Sequence, residues 1–395
     1  MGQKEILLFQ WDSIGKDDIK ASFERMGYTC DTVHVGSPDE ARSEKFEAIV
    51  DTLLTKQDYC FVFSTNFFFH VAIACHNHAT PYISWSYDSP TRLGDDEYVR
   101  YDTNYIFMFD SLEVKNCRER NGYTNVYYMP LGFNKERYER LLGTKNVTHT
   151  YASDISFVGR MYDSKIYDAM QYLDDYKRGF LQGVIDASFE TGECEHIYNM
   201  SNEYLIDWID SAEFNEVINS EFEAKPTKEM LPYRLGILLS KSVTNKRRLL
   251  LLGMLSNHFG VDLYSDKEHG SLKNVRMKGM VDYNTEMPFV FRDSKINLNI
   301  TYLSIRAGIP LRCIDILGCH GLLLTNHQRD LDKYFEDGKN ILLYDSPEEA
   351  YEKCKFYLSH ESERKKIEDA GYKTAACNFD YMILLRKILE IAGIK

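Results

Sequence analysis

The sequence predicts an α/β protein of two doubly wound domains facing each other across a cleft, with a helical insertion in the second. Short apolar runs of strand length alternate with amphipathic segments of helical length, which is the pattern of a mostly parallel sheet covered by helices. The pattern occurs twice. A chain of 395 residues also exceeds what one hydrophobic core usually serves.

In the first set the strand candidates are EILLF, CDTVHV, CFVFS, YISWSYD, YIFMF and NVYYMPL, with helical stretches at 16–26 and 43–55. The second set starts with DISFVGR and continues with VDLYS, VRMKGMV, KINLNIT, GLLLTN and NILLYD. Between DISFVGR and VDLYS, from about 162 to 244, the chain is rich in Tyr, Glu, Asp and Leu at helical spacing and poor in β-branched runs. That segment is the expected insertion. Domains are therefore expected at 1–150 and 151–377, with 378–395 as a terminal helix. Within the second, Ser346 reads as a helix cap, Pro347 as the first helical residue, and Glu348 and Glu349 as acids at the positive end of the dipole.

Composition removes several functions. The net charge is -13 and the basic stretch Asn245–Arg248 is short, so a nucleic-acid partner is not expected. No apolar run approaches the length of a membrane span and no signal-peptide core is present, which predicts a cytoplasmic protein without an integral membrane segment. The nine cysteines are scattered, as suits reduced thiols. His70, Cys75, His76 and His78 cluster in sequence but match no zinc spacing, so no metal is expected. Sequons at Asn146 and Asn199 have no consequence in that compartment.

The stretch AGIPLRCIDILG, Ala307 to Gly318, carries the most chemistry. Gly308 permits close approach to the backbone, and Pro310 suits a first helical position because it lacks the N–H left unpaired there. The N–H groups of a helix starting here would favour a phosphate. Arg312 and Asp315 stand three residues apart and share a helix face, the first suited to phosphate oxygens and the second to ribose hydroxyls. The same spacing also allows them simply to pair with each other. The strand KINLNIT, with Asn297, Asn299 and Thr301 on one face, delivers the chain to this turn at the carboxyl edge of the sheet, where doubly wound folds bind ligands.

DISFVGR, NKRRLLLLGMLSNHFGVDLYS, KINLNITYLSIRAGIPLRCIDILGCHGLLLTN and EEAYEKCKFYLSHESERKKIEDAGY resemble the C-terminal half of bacterial spore-maturation, CgeB-like glycosyltransferases. YISWSYDSP, FMFD and NVYYMPLGFN resemble the N-terminal domain that accompanies it. The resemblance implies a GT-B architecture of two Rossmann-like domains and no cofactor beyond the donor substrate. A nucleotide-sugar donor would sit mainly on the second domain, an acceptor (protein, glycan or small molecule) mainly on the first, and the final helix would cross back to the first. It implies a phosphate contact from Arg160 and a ribose contact from Asp315. The family's partner Lys has no equivalent in its usual place, so Arg247 or Lys246 is expected to supply that charge, with Asn299, Gly308, Ile309 and Arg312 also on the donor side. Asp315 falls on the second acidic position of a Glu-x7-Glu motif whose first position is Ala307 here, a departure that leaves the stereochemical outcome open. Arg160 reads alternatively as an inter-domain ion pair.

For the acceptor hydroxyl, Asp88 after YISWSY is the first candidate base, beside Trp85 and Tyr87 as stacking faces, and His70 is the second. Asp88 equally suits a turn before Ser89-Pro90, and His70 a buried core position. Other classes remain: a catalytically silent nucleotide-sugar binder, or an epimerase of the same fold drawing on His320 and His327.

Overall fold

The computed structural model describes residues 4–36, 43–91, 93, 96–143, 151–198, 211–222, 231–267 and 269–394, so both sequons lie outside the described residues. The first half comprises β1 (Lys4–Gln10), α1 (Lys16–Arg25), β2 (Tyr28–His34), α2 (Glu44–Lys56), β3 (Val62–Thr65), α3 (Phe69–Asn77), β4 (Tyr82–Ser86), α4 (Asp96–Val99), β5 (Asn104–Met108), α5 (Ser111–Asn121), β6 (Val126–Tyr128) and α6 (Lys135–Leu142). The second half starts with β7 (Ser153–Val158), α7 (Ile166–Met170), α8 (Asp175–Thr191), α9 (Glu195–Tyr198), α10 (Ala212–Asn219) and α11 (Leu231–Ser256). It continues with β8 (Val261–Tyr264), β9 (Arg276–Met277), α12 (Met287–Asp293), β10 (Ser294–Asn299), α13 (Leu311–Gly318), β11 (Leu323–Asn326), β12 (Leu342–Tyr344), α14 (Pro347–Ser359), α15 (Glu361–Asn378) and α16 (Tyr381–Ile391).

Two six-stranded sheets result, ordered β2-β1-β3-β4-β5-β6 and β12-β11-β10-β7-β8-β9. Their paired strands are parallel. Every strand run read from the sequence takes its place in one of them. The apolar runs explain why: a parallel strand is covered by helices on both faces, so Ile6, Leu7, Leu8 and Phe9 of β1 are all fully buried.

The inserted helices α7 to α10 and the first half of α11 form a core of their own around Leu181, Ile185, Phe214 and Leu238. The end expected near Thr244 is not a break. Residues 240–256 contain only one glycine and no proline, and α11 runs through to Ser256 as the crossover to β8.

The chain passes between the halves at two tied points. Phe133 N–H donates to Phe379 O at 2.9 Å, and Tyr381 N–H donates to Phe133 O at 3.0 Å. Beyond them α16 lays Leu384, Leu385 and Ile388 into the first domain's core with Ile6, Phe23 and Trp85. Leu385→Ala, at a fully buried site, is expected to cost about 2–5 kcal/mol in urea denaturation, while an unchanged midpoint would show that the helix is not part of that core.

Candidate functional site

The second sheet changes direction between β7 and β10, which places its ligand-binding crevice outside their carboxyl ends. Arg248 fills that crevice. Its guanidinium donates to Arg160 O and, at 2.6 Å, to Ile300 O, and it lies 5.0 Å from the ring centre of Phe157 and 4.7 Å from that of Tyr162. Burial pulls its pKa down to about 10, so it stays charged at neutral pH and bolts the two strand ends together. The Arg160 side chain is exposed.

Arg247 is one helical step away and points elsewhere. Nη2 donates to Phe189 O at 2.7 Å, and a side chain at Gly192 would collide with the guanidinium. There it lines a cavity of about 360 Å³ between the turn after α8 and the carboxyl edge of β10 to β12. Arg306 and Arg329 share this lining with Asn326, Tyr344 and Glu190, and an adjoining space of about 340 Å³ again meets Arg247, Asn326 and Tyr344. Glu193, Glu195 and Asp345 also line it, so the cavity has a side with three guanidinium groups suited to an anionic group and carboxylates suited to hydroxyls. Lys246 instead approaches Asp186 at 3.4 Å.

The loop that leads from this cavity to α13 meets the first domain. Arg306, Ala307 and Gly308 N–H donate to a single oxygen, Asp110 Oδ2, at 2.7, 2.8 and 3.0 Å. The other oxygen caps α5, accepting from Leu112 N–H at 3.0 Å and Glu113 N–H at 3.2 Å. The N–H groups that gather on an anion are those of the loop before the helix and not of the helix itself, and the anion is a carboxylate of the same chain. Gly308 does admit a close neighbour: a Cβ there would lie 2.8 Å from Phe109 Cδ2 and 2.9 Å from Phe109 O. Pro310, however, is the residue before the helix, with ψ 142, and α13 starts at Leu311.

Ile305 and Leu311 pack against the core that holds Phe109, Lys333 Nζ lies 3.9 Å from the ring centre of Tyr128, and the other contacts of this interface are polar. Ser304 Oγ donates to Ser89 O at 2.5 Å, while Ser89 Oγ lies 3.0 Å from Ser304 O and 2.7 Å from Glu113 Oε1. Thr91 N–H and hydroxyl donate to Glu113 Oε2 at 3.2 and 2.9 Å. Asp330 accepts from Ser111 N–H at 3.0 Å and from the Ser111 hydroxyl, and its own N–H donates to Ala307 O at 2.9 Å. Burial, then the neighbouring Asp110 carboxylate, push Glu113 up to about 7.

Asp315 is almost wholly buried and already has partners: Tyr138 hydroxyl at 3.0 Å, Tyr283 hydroxyl at 2.8 Å and the Arg312 guanidinium at 3.8 Å. Burial raises its pKa, against the pull of Arg312 and the two phenols. Arg312 also donates to Met287 Sδ and lies over Phe291, so Arg312 and Asp315 do pair, with α12 and α6 packed over them. Ile309 is a core residue. Asn299 is buried within β10, donating to Thr301 Oγ1 at 3.0 Å and Thr325 Oγ1 at 2.9 Å. Of the residues expected on the donor side, Arg247 alone lines the cavity, while Gly308 stands on the loop that continues from it.

In the first domain Asp88 is exposed after β4, its carboxylate accepting from Asn66 Nδ2 at 2.7 Å. Trp85 offers no stacking face: it is fully buried, because β4 is a central strand, and its indole N–H donates to Met129 O at 3.3 Å. Tyr87 is partly buried and bonds to the Tyr381 hydroxyl at 2.9 Å. His70 lies buried between α2 and α3 with Nδ1 2.8 Å from Glu47 Oε2. His78 pairs with Asp51 and His76 stacks on Tyr101, so that histidine run is dispersed. Among the described residues no group of three His, Cys, Asp or Glu side chains gathers to hold a metal ion. His320 stacks on Tyr372, while His327 lines the cavity and meets Asp332 at 2.8 Å.

Reading by sequence missed Asp110, Glu113 and Arg306. A signal exists for the first: FMFDSLE is an apolar strand ending in Asp at a helix cap. Nothing local announces that its second oxygen is used elsewhere.

Two Rossmann-like halves with a crossing terminal helix are the architecture of GT-B proteins. Residues 240–390 match the family model described as glycosyl transferase-like, so the C-terminal region carries a glycosyltransferase-type domain. A glycosyltransferase from Rickettsia africae ESF-5 has the same fold, with TM-score 0.58 and 10% identity over 100% of this chain and 98% of that one. Sucrose-phosphate synthase from Thermosynechococcus elongatus follows at TM-score 0.55 and 9% identity, over 99% and 98% of the two chains. Anabaena HepE, solved in complex with UDP, gives TM-score 0.53 and 11% identity over 99% of each chain. A search of curated proteins by sequence finds no match. No helix among the described residues is long and apolar enough to cross a membrane.

Proposed function

We propose that this protein transfers a sugar from a nucleoside-diphosphate donor, held by the second domain, to an acceptor hydroxyl presented from the side of the first. The observation that supports it most is that the matched segment 240–390 contains the cationic side of the cavity and the Arg306 to Gly308 backbone. As the bond from the sugar to the diphosphate breaks, negative charge grows on the leaving group. Arg247, Arg306 and Arg329, with fixed N–H donors beside them, are suited to meet it, and such prearranged donors supply several kcal/mol. In this reading a divalent ion is not required. Asp88, exposed and oriented by Asn66, is the candidate to receive the acceptor's proton. Asp315 contacts ribose only if Tyr138 or Tyr283 yields its place.

The residues quoted above support placement beside the CgeB-like glycosyltransferases and a cytoplasmic site of action. Acceptor class is a surface protein, glycan or small metabolite. The test is incubation with UDP-, GDP-, ADP- and dTDP-sugars in EDTA, reading thermal shift and release of the nucleoside diphosphate. Donor at about 100 times its Kd should stabilise the protein by roughly 2.7 kcal/mol. Stabilisation without release, whatever acceptor is offered, would favour a silent binding protein, and neither response to any donor would overturn the reading. Arg247→Ala is expected to weaken donor binding about tenfold or more, from the loss of one charge-assisted contact. Equal affinity in titration calorimetry would place the diphosphate elsewhere.

A further inference from the structure

We propose that Asp110 is a built-in occupant of the second domain's anion site, a latch that holds the two domains closed and must leave before an anionic ligand binds there. The proposal rests on the donor reading above for the ligand's identity, but its geometry is independent of it. Five backbone N–H groups converge on this one carboxylate, three from the loop before α13 and two from the start of α5. A phosphate oxygen has the same acceptor chemistry as Asp110 Oδ2 and would meet the same three donors. The two cannot occupy the place together, because their charges repel and the donors are shared.

The surroundings are mixed. Ser89 with Ser304 and Ser111 with Asp330 are hydrogen bonds that water can replace at little net cost, whereas Ile305 and Leu311 pack against the core that holds Phe109 and set the resistance to opening. The α5 cap is internal to the first domain and survives opening. On the far side of the interface the two crossing segments are tied together at Phe133, Phe379 and Tyr381, which provides a fixed axis about which Asp110 can swing away from residues 306–308. Arg306 links latch and cavity: its N–H holds Asp110 while its side chain lines the cavity wall. Asp110, Ala307 and Gly308 are buried and line no part of that cavity, so a ligand meets them only as the latch leaves. Closure in the absence of ligand therefore lowers the apparent affinity by the fraction of molecules that are open.

The experiment is titration calorimetry of the full chain and of Asp110→Asn with inorganic pyrophosphate and, separately, UDP. Asparagine retains an oxygen for the α5 cap but removes the charge that fills the loop. Pyrophosphate is expected to bind Asp110→Asn about tenfold or more tightly than the unaltered protein. Hydrogen exchange on the unaltered protein provides a check that does not depend on the variant's folding. Saturating pyrophosphate should speed exchange in the peptide spanning 109–113 at Ser111, whose N–H loses Asp330, while the capped Leu112 and Glu113 and the 304–308 peptide stay protected. Equal or weaker binding by the variant, unchanged exchange at 109–113, or no pyrophosphate binding by either protein would each overturn the latch. If pyrophosphate behaves as expected but UDP binds no more tightly than pyrophosphate, the latch stands and the nucleotide-donor reading falls.

Discussion

Glu113→Gln is expected to remove a pH dependence of stability that the unaltered protein shows between about pH 4.5 and 7. Glu113 is held near 7 in the folded chain against an ordinary 4.5, first because it is buried and then because Asp110 lies beside it. The hydrogen bonds agree with a neutral side chain. Ser89 has one hydroxyl proton and two acceptors in reach, Glu113 Oε1 at 2.7 Å and Ser304 O at 3.0 Å. A protonated Glu113 donates to Ser89, and Ser89 then donates to Ser304, so each group is satisfied.

A group whose folded pKa is raised contributes stability that is fully present below its unfolded pKa and is lost as pH rises through the folded one. At roughly 1.4 kcal/mol per unit the loss is on the order of 3 kcal/mol by pH 8. Glutamine mimics the neutral acid: its carbonyl accepts from Thr91 and its amide donates to Ser89. In urea titrations at pH 5 and pH 8, the unaltered protein should lose stability on going to the higher pH and the variant should lose markedly less. Parallel losses would show that Glu113 is not the titrating group.

Gly308→Ala should force the two domains apart at the anion loop. The φ of Gly308 lies outside the left-handed region, so alanine is acceptable to the local backbone and the conflict comes from across the interface. The new Cβ would stand 2.8 Å from the Phe109 ring and 2.9 Å from the Phe109 carbonyl oxygen. The ring has little room in its buried site, and the carbonyl cannot rotate away without moving β5. Overpacking of this kind costs about 1–3 kcal/mol. The expected outcome is a lower Tm together with a larger radius of gyration in solution scattering. A compact variant with the original Tm would mean that the loop and Phe109 do not meet in solution as they do here.

The sheets were legible because their signal is local. EILLF is dense enough in apolar residues to demand cover on both faces, KINLNIT alternates Ile296, Leu298 and Ile300 with polar residues at the period of a strand, and Ser346 with Pro347 marks a helix start without reference to the rest of the chain. Ser346 Oγ does accept from Glu349 N–H, at 3.1 Å. The candidate site was legible only in part. Arg312 and Asp315 were recognisable as a pair from their spacing. That the carboxylate is closed over by Tyr138 and Tyr283 was not, since those phenols come from 177 and 32 residues away. Arg247 and Arg248 are adjacent in one basic run, and only the rotation of α11 decides that the first faces a cavity and the second bolts two strands.

By itself, then, the sequence determined the strand and helix runs, the repetition of the α/β pattern, and the presence of a backbone turn able to hold an anion. Those properties follow from periodicity, capping and the conformational limits of glycine and proline, which act within a few residues. The tertiary structure decided what stands at that turn. Asp110 is 196 residues before Arg306, and no short-range rule connects them. Only the docking of two finished domains brings the carboxylate to the three N–H groups, because an unpaired donor in a closing interface must find an acceptor and this is the one the fold supplies.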